Sequence, residues 1–192
     1  MKSTDLQIVP FASQKKWTDW LAKRHGQSSG VWLKLAKKGT DIPSVTYDEA
    51  LEEALCYGWI DGQKKAFDEK YWLQKFTPRG PKSIWSKINT EKAEKLIASG
   101  KMQPAGLKAI ELAKQDGRWD AAYESQKTIS VPEDFQAALD KNQKAQAFFA
   151  TLNSVNRYAI LFRVHNARRP ETRQKRIQQF IEMLEGNEKV YP

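Results

Sequence analysis

The stretch SVTYDEALEEALCYGWIDGQKKAFDEKYWLQKFTPRGPKSIWSK, residues 44–87, decides the fold. Thr46 and Glu49 stand three apart ahead of an apolar run, the spacing at which each side chain satisfies a free backbone N–H at a helix start. Tyr47, Leu51, Ala54 and Leu55 then recur on one helical face. Asp48, Glu49, Glu52 and Glu53 fall toward solvent near the positive end of the helix. Gly58 supplies the stop. Asp61-Gly62 predicts a tight turn joining Trp59-Ile60 to the basic Gln63-Lys64-Lys65, because glycine accepts the positive φ that such turns need. Lys70 to Phe76 reads as a strand with β-formers on both faces, which requires that both be covered or that one meet a partner. A Pro-Arg-Gly-Pro loop closes the stretch.

Upstream, Leu6 to Val9 alternates as a short edge strand stopped by Pro10, and Ser13 caps a helix carrying Trp17, Trp20 and Leu21. Val31, Leu33 and Leu35 alternate with Trp32, Lys34 and Ala36, the pattern of a half-buried strand with lysines on its wet side. Downstream, Ile84, Ile88, Ala93, Leu96 and Ile97 have helical spacing around an Asn89/Thr90 cap. Pro104 opens another helix with Leu107, Ile110 and Leu112 inside, and Gly117 ends it. A polar segment from Tyr123 to Ser130 sets the boundary. Beyond Pro132 every pattern is helical: Phe135 to Leu139, Phe148 to Leu152, Val155 to Val164 capped by Ser154, and Thr172 to Leu184. The expected architecture is α+β, a small mainly antiparallel sheet flanked by helices over residues 1–125, followed by an all-helical C-terminal module over 126–192.

The 192 residues suffice for one core and a smaller helical appendage. A mean hydropathy of -0.70 comes from abundant charge, since 40% hydrophobic and 11% aromatic content is that of a globular chain. Net charge is +9, so an anionic partner is attracted, although a solvated lysine-rich face explains the same number without function. The single cysteine, Cys56, excludes an internal disulfide and lies where a small buried residue is expected. MKSTDLQIVPF has no apolar signal-peptide core, and no run approaches the roughly 20 apolar residues of a membrane span. A cytoplasmic protein without membrane insertion is the expectation.

The strings VWLKLAKKG, VTYDEALEEALCYGWIDGQKK, YWLQKFTPRGPKSIWSKIN and GKMQPAGL, in this order, resemble the N-terminal part of the YdeI/OmpD-associated (bacteriocin-protection) family. The tail, with NRYAILFRVHNARRPETRQKRI and IEMLEG, is similar to that family's helical C-terminal module. The resemblance implies an N-terminal part of YjbR/CyaY-like kind, and a link to envelope porins, stress tolerance and antimicrobial peptide resistance. It supplies no catalytic residue. His165-Asn166-Ala167 departs from the more acidic or lysine-bearing stretch expected there.

Trp59, Asp61, Lys64, Lys65, Trp72, Arg79, Trp85 and Lys87 form the candidate binding surface, where rings stack on a flat ligand and cations hold its negative groups. The competing reading packs the tryptophans on the sheet with lysine stems over them. It is favoured for Trp59 and Trp72, and Trp85 stands open between the two. Eleven cations against five acids from Asp61 to Lys108 make the excess local. Arg79-Gly80-Pro81-Lys82-Ser83 lacks P-loop spacing and reads as an ordinary helix-start loop. A second cluster, Arg157, Arg163, Arg168, Arg169, Arg173, Lys175 and Arg176 with Glu171, is expected to tie the module to acidic helix faces such as that of Glu49 and Glu52. His25 and His165 lack metal-site settings, and no hydrolase, zincin or dinucleotide motif is present. The residues thus point to a non-enzymatic protein with no cofactor and no metal. A protein partner is expected; nucleic acid and a small molecule are the alternatives, and oligomeric state is left open.

Overall fold

The computed structural model describes residues 6–192. These form two compact units, the first taking residues up to Trp85 and Asn89–Ala121, the second Ser86–Ile88 and Ala122–Pro192.

In the first unit, β1 (Ile8–Pro10), β2 (Val31–Ala36), β3 (Trp59–Ala66) and β4 (Tyr71–Pro78) make one sheet in the order β1-β2-β4-β3. Pairing of β2 with β4 and of β4 with β3 is antiparallel, and only β1 runs parallel to its neighbour. The α+β expectation holds. Pro10 ends its strand from within, as its last residue. Helices α1 (Gln14–Arg24) and α2 (Tyr47–Cys56) supply the apolar layer against the sheet's inner face, where Val31, Leu33, Leu35 and Phe76 are buried. Trp17 is its centre. Its ring lies 5.7 Å from Phe76 and 5.2 Å from Trp20, and its Nε1 donates to the Ala50 carbonyl at 3.0 Å, joining α1 to α2.

Three local signals of the first unit, at Ser13, at Thr46/Glu49 and at Gly58, act where they were read. Ser13 accepts from the Lys16 N–H at the start of α1. The Thr46 N–H donates to Glu49 at 2.8 Å while the Glu49 N–H donates to Thr46 Oγ1, completing the capping box. Gly58 ends the α2 turn at φ +72, a conformation that other residues take only with strain.

Helix α4 (Pro104–Gln115) corrects one expectation. Gly106, Ile110 and Ala113 are its buried face, whereas Leu107 and Leu112 are exposed. The cause is Gly106 itself: a Cβ there would stand 2.3 Å from the Cys56 carbonyl oxygen, so only glycine permits this approach of α4 to the end of α2. In α3 (Lys87–Ala98), Asn89 and Thr90 lie inside the helix and are buried rather than capping it; Ile88 and Ile97 are exposed, as is Ile84 ahead of the helix.

The second unit is helical: α5 (Glu133–Asp140), α6 (Gln143–Thr151), α7 (Ser154–His165) and α8 (Pro170–Glu185). Its core gathers Phe135, Phe149, Ile160, Leu161 and Leu184, with the Phe135 and Phe149 rings edge to face at 5.6 Å. Asn153, not Ser154, caps α7, accepting from the Asn156 N–H at 2.9 Å. No helix among the described residues is long and apolar enough to cross a membrane.

Candidate binding surface

Strand alternation distributes Trp59, Asp61, Lys64, Lys65 and Trp72, the five predicted residues on strands, before any side chain is considered. Lys65 pairs with Leu73 and Lys64 with Gln74, so neighbouring lysines point to opposite faces of the sheet. On the inner side, at its edge, Lys64 Nζ lies 4.5 Å above the Trp72 ring, and Tyr47 Oη donates to Asp61 at 2.9 Å. Outward, Lys65 Nζ lies 4.6 Å above the ring of Trp32.

Asp61-Gly62 is not a turn. Strand β3 runs through it with a bulge between Asp61 and Lys64, and the side-chain amide of buried Gln74 donates to the Gly62 carbonyl at 2.9 Å where the ladder is interrupted. The reversal falls later, at Asp68, whose carboxylate accepts the N–H groups of Lys70 and Tyr71 at 2.9 and 2.7 Å.

Trp59 and Trp85 offer no face to a partner. Trp59 is 1% exposed, edge to face with Trp17 and Trp20, and its Nε1 donates to the His25 carbonyl. Trp85 is 2% exposed and packs on Trp119 at 4.9 Å. The Arg79 guanidinium stacks on the Trp85 ring at 3.4 Å, and its Nη1 donates to the Ile84 carbonyl. Lys87 pairs with Glu124 inside the second unit. Trp59, Asp61, Lys64, Lys65 and Trp72 therefore belong to the sheet, Arg79 and Trp85 to the loop after it and Lys87 to the start of α3, so the expected surface divides into these parts.

The outward sheet face holds residues that the prediction omitted. Trp32 sits between Lys65 and Lys75, whose Nζ is 6.0 Å from its centre, and Lys34 Nζ lies 4.0 Å above Tyr71 and 4.6 Å above Phe67. Alternation in Val31 to Ala36 had already put Trp32 and Lys34 on the wet side. What was missing was the strand register that sets Lys75 opposite Trp32. Lys34 is partly neutralised by Asp68 at 3.8 Å. Lys64, Lys65 and Lys75 make no ion pair among the described residues, and each instead lies over a tryptophan, a contact worth about 0.5–1 kcal/mol at an exposed position.

Arginines of the second unit are placed differently. Arg173 grips Asp134 through Nε and Nη2 at 2.5 and 2.8 Å, and its Nη1 donates to the Val164 carbonyl at 2.7 Å. Arg176 donates to the Arg163 carbonyl, and Arg163 to that of Ala159. Arg173 and Arg176 thus close the C-terminal turn of α7 (Ser154–His165), whose last carbonyls lack helical donors, while Arg163 folds back on a carbonyl one turn earlier. In the first unit, Glu49 is used in its own capping box and Glu52 is met by Lys92 at 3.5 Å. The hydrogen bond from Arg173 holds the Asp134 carboxyl below its ordinary range.

Cys56 is buried beside α4, and desolvation, then the charge of Glu53, pushes its thiol up to about 11, so it is protonated and unreactive at neutral pH. No group of three or more His, Cys, Asp or Glu poised to hold a metal occurs among the described residues.

Comparison with curated proteins and with solved structures gives no match. Residues 128–187 match the family described as bacteriocin-protection, YdeI or OmpD-associated, which supports the family resemblance for the helical module. The match to the N-terminal part is to a different description, and no YjbR/CyaY-like match accompanies it. With residues 9–109 matched, over half of its length, the chain belongs to the family described as a domain of unknown function (DUF8412).

Proposed function

We propose that this is a non-enzymatic, cytoplasmic binding protein of the YdeI/OmpD-associated type, which contributes to envelope-stress and bacteriocin or antimicrobial-peptide tolerance by engaging an acidic protein partner. A YjbR/CyaY-like origin of the N-terminal part belongs to the same proposal. The observation that carries the binding role is the set of three lysines, Lys64, Lys65 and Lys75, which lie over tryptophan rings with no carboxylate paired to them. Such cations attract an acidic surface at long range and give up no existing ion pair on meeting it. The rings beneath keep the lysine stems spread, and they provide apolar area once the ammonium groups turn to a partner. What supports the tolerance role is the match at residues 128–187 to the family described as bacteriocin-protection, YdeI or OmpD-associated.

The test is survival. Cells from which the gene has been deleted are complemented with the wild type or with Lys64→Ala/Lys65→Ala/Lys75→Ala and challenged with a bacteriocin. The wild type is expected to restore survival and the triple variant to fail while remaining folded by circular dichroism. Equal survival of all strains removes the proposal.

Trp32 between two lysines also suits a single-stranded nucleic acid, in which bases stack on rings. That reading requires a retarded oligonucleotide band at low ionic strength that disappears steeply as salt rises. A protein partner predicts no such band.

A further inference from the structure

Beside the buried pair Trp17 and Leu21, helix α1 carries a second row, Lys16, Asp19, Trp20, Lys23 and Arg24, spaced three and four apart so as to share one side of the helix. Together with residues 10–12, this row walls a cavity of about 610 Å3 in the first unit, a size proper to small-molecule sites.

Charge along the row is one-sided. Its acid, Asp19, is already engaged by Lys15 of the same helix, which donates to both carboxylate oxygens at 3.1 Å. Lys16, Lys23 and Arg24 make no ion pair among the described residues. Lys23 and Arg24 occupy the last turn of α1, where their charge suits the negative end of the helix without consuming a donor. Lys16 stands two turns earlier, about 10 Å away along the axis. Between them is Trp20, whose ring is fixed by stacking on Trp17 at 5.2 Å and by an edge contact with Phe11 at 6.1 Å. Trp17 and Trp59 each give their Nε1 hydrogen to a carbonyl, of Ala50 and of His25, whereas Trp20 Nε1 donates to no group among the described residues. A held ring with a spare donor, bordering a recess beside unpaired cations, is the kind of polar group that orients a ligand.

We propose that this cavity binds a nucleoside diphosphate. Lys23 and Arg24 both border it and gather the phosphates, the guanidinium matching phosphate oxygens in pairs. The base lies against the rings of Trp20 and Phe11 and accepts from Trp20 Nε1 through a ring nitrogen or a carbonyl oxygen. A nucleoside leaves the cations unused and pyrophosphate leaves the rings unused, so each alone binds weakly. The cavity shares no residue with the lysine-bearing sheet face, and loss of either leaves the other standing.

ADP and UDP, one purine and one pyrimidine, are the probes, titrated into the full chain by calorimetry beside adenosine, uridine and inorganic pyrophosphate. Saturable one-to-one binding of at least one diphosphate is expected, with its nucleoside and pyrophosphate each weaker by about tenfold or more. Lys23→Ala/Arg24→Ala, at two exposed positions, should weaken it about a hundredfold, and Lys16→Ala about threefold. Trp20→Phe keeps a ring and loses the indole N–H; it should weaken the diphosphate about tenfold and leave pyrophosphate unmoved. Since Trp20 also packs on Trp17, the exposed double variant carries the test if Trp20→Phe fails to fold. Lys64→Ala/Lys65→Ala/Lys75→Ala should bind as the wild type does. No saturation by either diphosphate at millimolar concentration, equal binding of pyrophosphate, an unchanged affinity in Lys23→Ala/Arg24→Ala, or a loss in the sheet-lysine variant overturns the assignment.

Discussion

Two regions carry the same excess of positive charge and use it in opposite ways. Between Asp61 and Lys108 the chain has eleven cations to five acids, and between Arg157 and Arg176 seven to one. In the helical unit, arginines spend their donors on the α7 carbonyls and on Asp134, so charge there is structural. On the sheet, Lys64, Lys65 and Lys75 rest on rings and make no ion pair among the described residues, so charge there is available. Residue type explains much of the division: a planar fork with five donors fits several fixed acceptors at once, while an ammonium on a flexible stem does so poorly. Net charge alone therefore says little about where a partner binds.

The contrast is easiest to break at Arg173. Arg173→Ala should cost the helical unit about 2 kcal/mol, because it strips a charge-assisted pair from Asp134 and a donor from the Val164 carbonyl together. Urea unfolding, with amide exchange followed in α7 and α8, reads this directly; an unchanged midpoint would place these arginines with the available cations. Asp134→Asn should cost less, about 1 kcal/mol, since Arg173 keeps its carbonyl partner.

Acid sharpens the same point. Arg173 lowers the Asp134 pKa in the folded chain, so this pair contributes stability that is complete above the unfolded carboxyl value, about 3.9, and is lost as pH falls through the lower folded value. Wild type should thus lose helical-unit stability below about pH 4 more steeply than Asp134→Asn. Parallel curves for the two would count against it. At the smallest end, Lys65→Ala/Lys75→Ala should alter stability by about 0.5 kcal/mol per site or less, while shifting Trp32 emission. A large loss there would mean that the sheet lysines are structural too.

The same comparison shows what sequence can disclose. Ser13, the Thr46/Glu49 box and Gly58 were legible because each acts within four residues on its own backbone. The Asp61-Gly62 bulge was misread as a turn, since the group that completes it is the amide of Gln74, twelve residues away. Gly106 carries the closest approach of α4 and has no side chain for a periodicity to count. Arg173 finds Asp134 across 39 residues, a choice made by tertiary packing. Alternation placed Trp32 on the wet side, but its lysine companions required the β2–β4 and β3–β4 registers. The burial of Trp59 was anticipated by the packing alternative, whereas that of Trp85 was not decided by any local pattern.

Strand β3 lies at the margin of the sheet, with one side of its ladder unmatched by any other strand among the described residues. A regular margin of that kind recruits copies of itself and grows into fibrils. Here the irregularity at Gly62 twists the hydrogen-bonding rhythm out of step, and the two ammonium groups just beyond it would be forced against their own images in any stacked ribbon. Straightening that kink and neutralising those charges together should raise the tendency of the protein to precipitate on storage.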